Sequence, residues 1–253
     1  MTMFLNHNKI NEHSFVSDIV TQDYRTADVF RKYDIEYCCG AKWSLDTICL
    51  MKGLNIRELK SELEQATRNI QVSNKLHFDE WPIDFLADYV VNVHHSYLKH
   101  SMPEIKESLK VFVAEHVKKY PFLAEVEITY NQLYKEVFPH MKQEEEILFP
   151  YIKQIYHAYT SQESYASLLV RTLRKPVEEV MQKDHESAMK HLHKIRVLTN
   201  DYTCPSVACV SHRVNYSKLR ELDNDLAQHI HLENNILFPK AIAIEKELLK
   251  MKV

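Results

Sequence analysis

The chain has 253 residues, 45% of them apolar, with 32 basic against 35 acidic residues and a net charge of −3. That length accommodates one bundle of ordinary size plus a smaller unit, and the charge balance gives no reason to expect nucleic acid, which wants a basic face. Only two glycines occur, Gly40 and Gly53, so phosphate loops and dinucleotide fingerprints, which depend on glycine, are nearly excluded.

The opening residues, MTMFLNHNKINEHSF, contain no apolar h-region, so no signal peptide is expected. No run of about eighteen apolar residues occurs, so no membrane span is expected either. Five cysteines, Cys38, Cys39, Cys49, Cys204 and Cys209, are an odd number that suits a reducing cytosol better than a disulfide framework. The compositional outlier is histidine, at 15 residues, the commonest metal ligand among side chains.

Residues 14–70 read as a small domain of short helices. In ADVFRKYDI the apolar residues Val29, Phe30 and Tyr33 share one face, and the pattern breaks at Cys38-Cys39-Gly40. A helix over about 44–52 stops at Gly53. Asn55 with Glu58 three residues later predicts a capped helix running to about 69. The stretch QVSNKLHFDEWP reads as a linker, with Pro82 suited to the first turn of a new helix. Beyond it, residues 80–247 read as a second domain of four long helices, about 82–101, 122–149, 176–200 and 214–247, with a shorter piece at 104–118 continuing the first after Pro103. The segment TCPSVACVSHRV reads as a loop.

Two segments of this second domain match: HMKQEEEILFP from His140 and HIHLENNILFP from His229, identical at six of eleven positions. Each has a histidine well upstream, His95 before His140 (140 − 95 = 45) and His185 before His229 (229 − 185 = 44). The unit is therefore a helix with His, a connection, and a helix with His-x-x-x-Glu, occurring twice with a period near 90. Leu133, Val137, His140, Glu144 and Leu148 step by 4, 3, 4, 4, and so do Leu222, Leu226, His229, Glu233 and Leu237. That spacing is one stripe of a helix, and the stripe is apolar. His140, Glu144, His229 and Glu233 thus point into the core, as two symmetric half-sites, whereas Glu145 and Glu146 fall off the stripe and read as solvated.

A single His-x-x-x-Glu is an ordinary surface pair, but two equivalent copies on apolar stripes are not. A buried carboxylate without a partner costs several kcal/mol or is neutralised, and no Lys or Arg shares either stripe. Cations between the carboxylates solve this, as in helix bundles that hold carboxylate-bridged iron or manganese. Imidazole with carboxylate suits iron and zinc better than magnesium or calcium. The zincin pattern fails because Met189 follows His185-Glu186, and ferritin-like sites use Glu-x-x-His instead.

These motifs, with His95 in VVNVHHSYLKH, His185 in QKDHESAMKHLH and the cysteine-bearing FRKYDIEYCCG, resemble the iron–sulfur cluster repair di-iron proteins, the family named for repair of iron centres, over roughly residues 14–247. The resemblance implies an all-α fold, a hemerythrin-like up-down four-helix bundle preceded by a small helical domain. It implies His95, His140, His185 and His229 as terminal ligands of two iron ions, oxo- and carboxylate-bridged, with Glu144 and Glu233 as the bridges. His94 adjoins His95, but the register of Val91, His95, Leu98 and Met102 favours His95. His116 is a further candidate near the site. Cys38 and Cys39 are candidates for redox or iron transfer, since vicinal thiols relay electrons or hold a metal transiently. Cys49 reads as core.

The implied function is repair of iron–sulfur clusters damaged by nitric oxide or oxidative stress, by donation of iron, in a cytoplasmic protein. Its partners would be the damaged iron–sulfur proteins and a second copy of the chain in a homodimer. The alternatives are an enzyme, a di-iron reductase of nitric oxide or another oxidant, and a small-ligand sensor. Oxygen-carrying hemerythrins differ in having histidine where this chain has Met189 and a terminal aspartate where it has Asn234, which argues against oxygen storage.

Overall fold

The computed structural model describes residues 10–38, 43–67, 76–172 and 177–250, with the backbone alone for 177–183. Its regular structure is helical, and the one extended pairing among the described residues is an isolated bridge between Phe15 and Ser44. Among the described residues no helix is long and apolar enough to cross a membrane. The chain divides into two compact units, residues 1–75 with 202–220, and residues 76–201 with 221–253.

The first unit contains α1 (Val16–Gln22), α2 (Thr26–Lys32), α3 (Leu45–Lys52) and α4 (Ile56–Ala66). Gly53 closes α3 in the left-handed region at φ 65°, and the Leu54 N–H reaches back to the Cys49 carbonyl at 2.9 Å. That return bond satisfies a carbonyl the helix leaves open. Asn55 caps α4 by accepting from the Arg57 N–H, while its amide donates to Glu58 at 3.0 Å. Val16, Ile19, Phe30, Leu45, Leu59 and Leu63 form the core, and Val214 is buried among them. The segment expected to be a loop therefore holds one only as far as Cys209. From Val210 the chain is helical, and residues 202–220 belong to the first unit rather than to the bundle.

The second unit is the bundle. Its helices are longer than their sequence signals suggest because prolines do not end them. Pro103 lies inside α6 (Ser96–His116), which α5 (Ile83–Tyr89) enters through a π-helical turn at Val90–His95. α7 (Leu123–Gln143) runs through a π turn at Glu144–Leu148 into α8 (Phe149–Thr160). After the short α9 (Ala166–Thr172) and α10 (Val177–Leu198), α11 (Val210–Leu232) runs through a π turn at Glu233–Leu237 into α12 (Phe238–Lys250). Each of the last two π turns ends just before the Phe-Pro of the repeated Ile-Leu-Phe-Pro. Pro150 and Pro239 cannot donate to the carbonyls of Glu146 and Asn235, and the helix continues past both.

Candidate metal centre

The three π turns meet the residues of the expected site: one ends on His95, one begins at Glu144 and one at Glu233. A π turn shifts the residues after it relative to the α-helical stripe, and such turns are frequent at functional sites. All six expected ligands converge. Glu144, Glu233, His95, His185 and His229 are buried, and His140 nearly so.

Two groups of side chains result, each with ligand atoms within 4.8 Å of one another: His95, His229, Glu144 and Glu233, and His140, His185, Glu144 and Glu233. The Nε2 atoms of His95 and His229 approach to 3.1 Å, and those of His140 and His185 to 2.8 Å. Glu144 presents Oε2 to His95 at 3.4 Å and Oε1 to His140 at 3.1 Å. Glu233 presents Oε1 to His229 at 2.9 Å and Oε2 to His185 at 3.3 Å. Both glutamates thus span the two groups, one oxygen to each. The half-sites are not those of the sequence repeat, because each draws one histidine from either copy.

The donor set fits metal. Two nitrogens bound at right angles to one ion at about 2.1 Å would lie about 3 Å apart, close to the spacing found. Among the described residues neither oxygen of Glu144, nor Oε2 of Glu233, has a hydrogen-bond partner although all three are buried, a costly state that a cation relieves. The surrounding field asks for positive charge. Burial works against a charged His140, yet Glu144, Glu233 and Asp184 raise it to about 9. His229 is also raised, Glu233, Glu144 and Asp225 outweighing its burial. Glu233 is held below the usual carboxylate range despite its burial, by His229 and His185.

Outer residues aim the imidazoles. The His95 Nδ1–H donates to Glu145 Oε1 at 2.8 Å, and Lys99 holds the same carboxylate. His140 Nδ1 faces Asp184 at 3.2 Å, and His185 Nδ1–H donates to the Asn234 side-chain oxygen at 2.9 Å. Such partners fix the ring so that Nε2 is the free donor. Glu145 is therefore not the solvated residue its place off the stripe suggested, whereas Glu146 is exposed as expected. His94 is also buried, its Nδ1 3.0 Å from Asp225 and its ring stacked on His229 at 5.8 Å between centroids. Asp184 and Asp225 carried no motif that marks them in the sequence.

His116 is not brought to the cluster. It lies 21 residues along one continuous helix from His95 (116 − 95), about 30 Å away, and its Nδ1 meets the Phe112 carbonyl. Cys38, half-buried, follows α2 in the first unit, and Cys39 lies outside the described residues. Cys49 is buried in the first unit's core, as expected.

A helix bundle with two histidine pairs joined by two inward glutamates is a hemerythrin-like metal-binding bundle. The Hemerythrin HHE cation binding domain matches residues 86–241, and a domain of unknown function (DUF542) matches residues 12–67. The chain is 31% identical to the iron-sulfur cluster repair protein YtfE of an Enterobacter species, over 91% of this chain and 97% of that protein. It is 32% identical to the protein of that name from Escherichia coli O8 (87% and 93%), and 30% identical to a probable iron-sulfur cluster repair protein of Haemophilus influenzae (85% and 90%). The chain belongs to the iron–sulfur cluster repair protein family.

Proposed function

We propose that this protein repairs iron–sulfur clusters damaged by nitric oxide or oxidants, and that it does so by supplying iron from a pair of ions held in the bundle. His95 and His229 hold one ion and His140 and His185 the other, with Glu144 and Glu233 bridging. The observation that carries this reading is the pair of glutamates whose buried oxygens each face a different histidine pair. The names of the relatives support the repair role. Iron bound there supplies an ion whose ligands exchange and whose charge changes by one electron. The protein's part is to hold it with nitrogen and oxygen donors that release a ferrous ion to thiolate and sulfide acceptors. Cys38 and Cys39 are suited to receive or guide it. The protein is cytoplasmic in this reading and works as a homodimer on damaged iron–sulfur proteins.

A second reading has one observation in its favour. A cavity of about 20 Å³, lined by His140, His185, His229 and Val137 among others, has room for one water-sized molecule. Reduction of nitric oxide at that point is an enzymatic alternative. Metal analysis of the purified protein, combined with reactivation of a damaged cluster enzyme, decides. Two irons per chain and reactivation that consumes them support donation. Multiple turnovers of nitrous oxide with no loss of iron favour the reductase, and a single zinc per chain overturns both.

A further inference from the structure

The two histidine pairs share their glutamates but not their surroundings. His95 and His229 are fully enclosed, at 0% and 1% side-chain exposure. On that side His95 is backed by Glu145, which Lys99 also grips, while the His94 ring covers His229 and is itself held by Asp225. His140 keeps 10% exposure, and the Asp184 that backs it is 53% exposed. His185 lines both the one-water cavity and an open groove of about 730 Å³ walled by Glu186, Met189, Lys190, His193 and Asn234. Beside the cavity, Glu136 is paired with Ser187 and His191. The groove is thus walled by His185 and by neither histidine of the other pair, and His229 reaches only the one-water cavity.

Resting on the proposed iron-donating role, we propose that the two positions exchange unequally. The ion at His140 and His185 is the one delivered, passing through the groove beside Met189, and the ion at His95 and His229 is retained. The cargo is a ferrous ion, and its oxidation state does not change on leaving. Each bond it loses to His140, His185, Glu144 and Glu233 is replaced by one to water or to an acceptor thiolate. Asp184, Glu186 and His193 offer transient ligands on the way, at solvent-exposed places where ligands exchange without unfolding the helix. The retained ion keeps both glutamates aimed, so the emptied position stays formed for the next ion.

The test uses the full-length chain loaded anaerobically with ferrous iron and mixed with excess ferrous chelator, reading chelate absorbance against time. Two phases of equal amplitude are expected, separated by a species with one ion. Met189→Trp, which fills the groove, slows the fast phase several-fold and leaves the slow phase unchanged, whereas Met189→Ala does not slow it. His140→Ala retains one slowly released ion, and His95→Ala lacks that slow ion, with circular dichroism confirming the helices in both. Loss of both ions at one rate, or a fast phase indifferent to Met189→Trp, overturns this inference and leaves iron donation standing. Binding of fewer than two ions by the unaltered chain overturns the donating role itself.

Discussion

Glu145 receives the His95 Nδ1 proton at 2.8 Å while its neighbour Glu144 faces inward to both histidine pairs. Adjacent residues of one turn thus face the cluster differently, Glu144 turning both oxygens toward the histidine pairs and Glu145 backing the His95 ring. Replacing Glu145 by Ala frees the His95 ring to rotate. Metal affinity should fall about 10- to 100-fold, read from competition with a chelator of known affinity. Lys99→Ala, which loosens Glu145 without removing it, should fall between that variant and the unaltered chain.

Glu144→Gln separates folding from binding. Glu144 is buried with its two oxygens facing His95 and His140, so its charge is set toward both histidine pairs. The amide keeps the shape without the charge. The metal-free bundle is expected to keep its helices by circular dichroism, while the stabilisation that added metal gives the unaltered chain is lost. A metal-free variant that melts several degrees lower, with metal stabilisation intact, would show that Glu144 is structural and not a ligand.

The stripe arithmetic made the inward residues legible. His140, Glu144, His229 and Glu233 repeat on two apolar faces, and an apolar face must be buried. It could not say which histidines meet, because spacing along one helix carries no information about its neighbour. His95 pairs with His229 and His140 with His185 only because the bundle interleaves the two copies. Glu145 departs from the stripe for a related reason. The stripe assumes about 3.6 residues per turn, and the π turn at Glu144–Leu148 departs from that where Glu145 sits. Residues 202–220 were hidden by their composition. Pro205 and its polar neighbours look like a loop between bundle helices, and only packing reveals Val214 in the other unit's core.

Tyr130 is buried on α7 and donates its hydroxyl to the Met102 carbonyl at 2.7 Å, the residue before Pro103. Pro103 has no N–H and interrupts the ladder of α6 there, and the tyrosine ties this stretch to α7. Tyr130→Phe keeps the ring and removes the bond. It should cost about 0.5–1.5 kcal/mol, measured by urea unfolding followed at a bundle probe, with metal content unchanged.

The protonation of His140 gives the metal-free protein a pH dependence that metal should abolish. His140 is raised from 6.5 to about 9 in the folded chain, where Glu144, Glu233 and Asp184 overcome its burial. A group with a raised folded value binds its proton more tightly when folded, so its stabilisation is complete below pH 6.5 and disappears as pH rises through about 9. The loss amounts to up to about 3 kcal/mol, at 1.36 kcal/mol per unit. Melting of the metal-free bundle should therefore fall steadily between these pH values. Metal bound at His140 would take the unprotonated ring, and this step in the melting curve should then vanish. Metal-free His140→Gln should lack the step as well, while a step that persists in that variant would assign the dependence to another group.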